Sequence, residues 1–176
     1  PMVHLRKAPV RGLTICLGMG ASFRSMASWD IRTTAVELVP SVVKLFPFYF
    51  DDANEILNGH ERKADIIIDD GRRYLDRTDQ MFDVIVVDPP PPISAAASSL
   101  LYSTEFYQSV KRRLRKTGIL QVWTPGGDLK DLAAVTKSLR ESFSFVRQFF
   151  SIEGWGCHFL ASESPIPKLD AKELAG

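Results

Sequence analysis

The sequence predicts a doubly wound α/β fold: a mostly parallel seven-stranded sheet with helices on both faces and an antiparallel hairpin of its last two strands at one edge. Three observations carry this. Short apolar runs that close on glycine or acid alternate with helix-prone segments, the rhythm that builds parallel strands through crossover helices. The runs are β-branched and apolar throughout instead of alternating with polar residues, as strands buried on both faces are. The last two, FVRQFFSI and GCHFLASES, are too close together for a crossover helix and must return antiparallel.

Taken in order, GLTICLGMG (residues 12–20) is a strand closing on two glycines, and ASFRSMASW continues as a helix. TTAVEL (33–38) is the second strand, followed by a helix-prone VPSVVKLF. ADIIIDDG (64–71) and FDVIVVD (82–88) are the third and fourth, with a short helical RRYL between them. Residues 103–116 open on Ser103 and Thr104, carry Glu105 in the first turn and place Phe106, Val110 and Leu114 on one face, which predicts a helix leading into GILQVWT. Residues 128–143 repeat the pattern with Leu129, Leu132, Val135 and Leu139, before the two closing strands. The expectation is one nucleoside-binding domain over residues 1–163 and a frayed or loosely docked tail over 164–176. The chain opens on Pro1 and Met2 and enters a strand almost at once, which predicts that something upstream has been trimmed or lost.

With 45% hydrophobic residues and 22 basic against 21 acidic side chains, the composition is that of a globular protein without the basic footprint of a dedicated nucleic-acid binder. Cys16 and Cys157 lie far apart, without CxxC spacing or neighbouring histidines, so neither a metal site nor a disulfide framework is predicted and a reducing, cytoplasmic setting is the default. No apolar run approaches the roughly 20 residues of a membrane helix, and no leader resembles a signal peptide.

In such sheets ligands bind beyond the carboxyl ends of the strands, where the strand order switches, so the closing residues are the candidates. Gly18 and Gly20 end the first strand where a ligand must approach the backbone closely. Glu37 ends the second, near the roughly 20-residue offset at which a carboxylate takes ribose hydroxyls. Asp69 and Asp70 end the third before Gly71, and Asp88 ends the fourth ahead of four prolines, which stiffen the loop because each fixes φ and removes a donor. Phe23 stands where a dinucleotide fingerprint has its third glycine, and no P-loop Lys-Ser/Thr pair follows, so this Rossmann-like turn fits a sulfonium nucleoside better than a nicotinamide or ATP. Other residues have plainer readings. Asp69 is expected to be a solvated turn residue or the N-cap of the RRYL helix, Arg72 and Arg73 to be solvated or paired with these acids, and the RRLRK run (112–116) to cover the end of its helix. Cys16 is expected as a small buried hydrophobe in mid-strand, Trp123 and Trp155 as core or rim, and His4, His60 and His158 as structural or exposed.

The order GMG, VEL, DDGRRYL, FDVIVVDPP, LYSTEFYQSVKRRL and GILQVWTP resembles the spermidine synthase family of polyamine aminopropyltransferases over about residues 12–125, especially its divergent members, some of which are fused to membrane segments. The fold implied is that of class I S-adenosylmethionine-dependent transferases. The resemblance implies an aminopropyl transfer from decarboxylated S-adenosylmethionine to a small-molecule amine acceptor, releasing methylthioadenosine; a homodimer is compatible with it. Carried over, Glu37 with Leu38 would hold the ribose, Asp70 with Gly71 the adenine, and Gly18, Met19 and Gly20 the methionine-derived side. Asp88 would border the cofactor and serve as the catalytic acid that orients and deprotonates the amine. His4 and Leu5 would end the region preceding the nucleotide fold, with the family's small N-terminal β domain absent. Two positions depart from the pattern: the acid of the family's GGGDGG turn is Ala21 here, and the second acid of its DSSDP segment is Pro91. Loss of the turn acid makes ordinary S-adenosylmethionine plausible, so a small-molecule methyltransferase stays open, as does a non-catalytic nucleoside-binding or interaction domain. The DPP segment is also similar to the DPPY of base-amine methyltransferases, but Pro91 replaces the aromatic and the charge is balanced, which disfavours nucleic acid.

Overall fold

The computed structural model describes residues 1–5, 8–58, 64–90, 95–125, 128–151 and 154–169. Seven strands form one sheet: β1 (Arg11–Ile15), β2 (Arg32–Glu37), β3 (Ala64–Ile68), β4 (Phe82–Val87), β5 (Leu114–Thr124), β6 (Phe145–Phe150) and β7 (Cys157–Ser162). Their order is β3-β2-β1-β4-β5-β7-β6, with β1 to β5 parallel and β7 antiparallel to both its neighbours. The doubly wound expectation therefore holds, and the closing hairpin folds back so that β7 is interior and β6 forms the edge.

The helices are α1 (Ala21–Ala27), α2 (Pro40–Tyr49), α3 (Ala53–Asn58), α4 (Gly71–Arg77), α5 (Ala96–Leu100), α6 (Thr104–Arg113) and α7 (Leu129–Ser142). One face of the sheet buries Ile15, Ile85, Val122 and Phe159 with Leu75, Phe106 and Leu139 of α4, α6 and α7. On the other, Val84 and Val86 pack against Met2 and Met26, and Ala35 and Ala64 against Phe23 and Phe46. Burial on both faces explains the uninterrupted apolar strands. Ser103 caps α6 by accepting from the Phe106 N–H, as its sequence predicts. Among the described residues no helix is long and apolar enough to cross a membrane.

Three expectations change. The helix over 103–116 stops at Arg113, because Leu114 already pairs with Phe82 and β5 runs on through a register shift. The RRLRK run is thus split. Arg112 bonds Asp76 of α4 at 2.8 Å and Arg113 the Leu75 carbonyl at 2.9 Å, while Arg115, on β5, pairs with Asp83. The short helices α3 and α5 carry too little periodicity to be predicted. The tail is docked as far as it is described, with Ile166 buried and the Pro167 carbonyl accepting from His4 and Arg147. His60 and Pro91 lie outside the described residues.

Candidate functional site

The strand order reverses between β1 and β4, and the backbone carries the ladder one residue beyond several strand ends. The Cys16 N–H donates to Val36 O, Asp69 N–H to Glu37 O, and Asp88 N–H to Ile15 O, each at 3.0–3.1 Å. The ends of β1, β2, β3 and β4 are thereby held level, and Gly18, Glu37, Asp69 and Asp88 come to one edge as the sequence predicts.

The turn from β1 to α1 uses the left-handed region three times: Cys16 at φ 69°, Gly18 at φ 54° and Gly20 at φ 92°. Gly20 caps α1, its N–H donating to Leu17 O at 2.8 Å. A side chain on Gly20 would collide with the buried Phe46 ring, whereas on Gly18 it would meet only open space. The turn is therefore packed from behind and open in front, leaving room for a ligand against the Gly18 backbone. Gly20→Ala is expected to cost about 2 kcal/mol, from the left-handed backbone and the displaced ring. Thermal unfolding monitored by circular dichroism measures this; an unchanged Tm would contradict the packing described.

Glu37 is 8% exposed. Its two carboxylate oxygens accept from the Leu17 N–H and the Val39 N–H, each at 2.9 Å, so this acid fastens the glycine turn to the start of α2. Met19 and Leu38, beside the two N–H groups that donate to Glu37, are exposed apolar residues. The cap of α4 falls on Asp70 and not on Asp69: Asp70 accepts from the Arg73 N–H at 2.8 Å, while Asp69 accepts from the Asp70 N–H and pairs with the Arg73 side chain. The reason is register, since Asp69 still continues the β2–β3 ladder and only the next residue is free to cap. Gly71 opens α4 on the far face, where a side chain would strike Ile15. Asp88 accepts from the Ser22 hydroxyl at 2.8 Å, which ties the fourth strand to the first turn of α1.

Cys16 is not in mid-strand, because β1 ends at Ile15 and Cys16 opens the turn at the floor of the site, half-buried. Its thiol is pushed up to about 12, first by burial and then by the charges of Glu37, Asp88 and Asp70, and so stays protonated and neutral. Arg73 is engaged by Asp69, and Arg24, on α1, by Asp52. The negative charges of Glu37, Asp70 and Asp88 thus all act on the Cys16 position, an electrostatic setting suited to a cation.

Sequence reading left Ser22 and Tyr102 out of the site and took His158 as structural or exposed. Tyr102 is buried and donates to the Trp123 carbonyl at 3.0 Å; burial and the nearby Asp88 charge raise its phenol. Ser22 had a local signal, a hydroxyl one residue into the helix after GMG. The other two approach the site only through strand order.

A family model described as the spermine/spermidine synthase domain matches residues 13–152. A polyamine aminopropyltransferase of Thermococcus kodakarensis is 31% identical over 166 residues, covering 88% of this chain and 56% of the relative. Polyamine aminopropyltransferase 1 of Pseudomonas aeruginosa is 34% identical over 148 residues, 77% of this chain and 49% of its own length. The chain thus spans about half of these relatives. A spermidine synthase solved with the transition-state analogue AdoDATO superposes with a TM-score of 0.79 at 21% identity, over 93% of this chain and 58% of that one. Human methyltransferase-like protein 13, solved with SAH, superposes with a TM-score of 0.76 at 19% identity, over 99% and 79% of the two chains. At these identities the two structures bear on the fold alone.

Proposed function

The chain belongs to the spermine/spermidine synthase family, and from that premise we propose that it transfers an aminopropyl group from decarboxylated S-adenosylmethionine to an amine acceptor. The observation that carries the reading is that hydrogen bonds hold Glu37 against the glycine turn through the Leu17 N–H and Asp88 against the following helix through Ser22, with Asp70 capping α4 at the same sheet edge and the turn open in front at Gly18. Glu37 and Leu38 would hold the ribose, Asp70 and Gly71 the adenine, and the backbone of Gly18, Met19 and Gly20 the side that bears the sulfonium. The acids also suit a positive sulfur, which needs no phosphate-binding apparatus.

Asp88 would carry the chemistry. An alkylammonium with a pKa near 10.4 has almost no free lone pair at neutral pH, so a carboxylate beside it must guide its proton away while aligning the nitrogen. The nitrogen pair then forms a bond to the methylene carbon on sulfur, the carbon–sulfur bond breaks with its pair going to sulfur, and neutral methylthioadenosine leaves. Because the Ser22 hydroxyl occupies Asp88 Oδ2, Oδ1 is the oxygen left for the amine.

Calorimetric titration with methylthioadenosine, S-adenosylmethionine and its decarboxylated form tests the reading. Methylthioadenosine and the decarboxylated cofactor are expected to bind in the micromolar range, roughly −8 kcal/mol; binding of none of the three would sink it. One observation favours a second reading. Ala21 stands exposed at the position of the family's turn acid, so nothing there repels the carboxylate of ordinary S-adenosylmethionine, and methyl transfer to a small amine would follow if that form bound more tightly. Two free cysteines suit a cytoplasmic setting for either reaction.

A further inference from the structure

Asp88 is held at two points. Its backbone N–H donates to Ile15 O at 3.1 Å, which fixes where the residue stands on the sheet, and its Oδ2 accepts from the Ser22 hydroxyl at 2.8 Å. The first contact leaves the side chain free to turn about its own bonds; the second selects among those rotamers. Ser22 is itself firmly placed. It follows the N-cap Gly20 by two residues and precedes Phe23, which is fully buried with its ring edge-on to Phe46 at 5.5 Å.

Two simpler duties for this hydroxyl are met by other groups. A serine near a helix start commonly caps its own helix, but the N-cap of α1 is Gly20, which has no side chain to offer, and the Ser22 hydroxyl turns to Asp88 instead. Nor does α1 depend on this bond for its seat on the sheet, because Met26 packs against Val84 and Val86, and Phe23 against Ala35 and Phe46. The cation of the same helix, Arg24, bonds Asp52 at 2.8 Å through its Nε. The difference matters chemically: a hydroxyl orients a carboxylate without neutralising it, whereas an arginine or lysine in its place would offset the charge that must receive the amine's proton.

Resting on the transfer reading above, we infer that Ser22 is a positioning residue for the reaction: it holds the Asp88 carboxylate with Oδ1 turned to the amine, and it does so from the helix that opens on the glycine turn. Acid and cofactor thereby take their alignment from one segment, Gly18 to Ser22. Attack on carbon needs the nitrogen in line with the bond to sulfur, so a contact that fixes one carboxylate rotamer acts on turnover more than on binding.

Release of methylthioadenosine from the decarboxylated cofactor provides the test, with tetramethylenediamine as acceptor or whichever simple aliphatic amine is used fastest. Ser22→Ala is expected to lower kcat roughly ten- to a hundredfold, the size of one hydrogen bond to a charged group. KM for both substrates and the calorimetric affinity for methylthioadenosine should stay within about threefold of the parent. Alanine suits a helix, so the fold should persist, as circular dichroism would show. Ser22→Thr, which keeps the hydroxyl, is expected to recover most of the rate. In an Asp88→Ala background, where no carboxylate remains to be held, Ser22→Ala should cause no further loss. Full turnover by folded Ser22→Ala would overturn the assignment, as would a loss confined to KM, a loss that Ser22→Thr shares in full, or one as large in the Asp88→Ala background as in the parent. No release by the unaltered protein with any of these amines would overturn the transfer reading and this one with it. Release that Ser22→Ala leaves untouched would overturn this one alone.

Discussion

Asp88→Asn should lower the release of methylthioadenosine by roughly 10²–10⁴-fold, the range that one positioned acid–base group contributes. The substitution is close to isosteric. The new amide oxygen would still accept from Ser22, and the backbone N–H at this position would still reach Ile15 O, so the end of β4 should keep its place. What disappears is the charge that, in the proposed reaction, would attract an ammonium and accept its proton. Binding of methylthioadenosine should change by no more than a few-fold, because the proposed nucleoside half of the site would rest on Glu37, Asp70 and the glycine turn. Single-turnover kinetics together with calorimetry separate the two effects, and retention of full turnover would remove Asp88 from the mechanism.

The second large effect is expected at Glu37. This side chain satisfies two backbone amides in different loops, one of them fully buried. Glu37→Ala would orphan both. An unsatisfied buried donor costs about 1–3 kcal/mol, so a loss of about 2–4 kcal/mol in urea unfolding is expected. Glu37→Gln keeps one acceptor oxygen but turns an NH₂ group toward the other amide, and should fall between the two. Methylthioadenosine affinity should drop at least tenfold in Glu37→Ala, since the carboxylate is lost and the turn it fastens is loosened. An unfolding midpoint equal to that of the parent would show that the two loops do not depend on this acid.

The two predictions depend differently on what the sequence reveals. That Asp88 and Glu37 close strands is plain from FDVIVVD and TTAVEL, where apolar runs end in acid, and period and composition suffice to place both at the carboxyl edge of a parallel sheet. That Glu37 already spends its oxygens on Leu17 and Val39 is invisible there, because hydrogen bonds between loops from different strands depend on the reversal of strand order. The exchange of roles between Asp69 and Asp70 has a similar origin. Adjacent identical residues cannot be told apart by spacing, and the β2–β3 ladder decides which of them is free to cap α4. For Cys16 the apolar run TICL suggests a continuous strand through Leu17, but the turn begins two residues earlier than composition implies.

Local chemistry was sufficient for the fold class, the glycine turn, the acids that close the strands and the cap of α6, because each rests on residues within a few positions of one another. Only tertiary structure could bring Ser22 onto Asp88, or set Trp123 beside His158 and His158 beside Phe149. These residues are far apart in the chain, and their meeting depends on strand order and on the return of β7 between β5 and β6. A periodic pattern records which face a residue occupies, but it carries no information about which strand lies beside it.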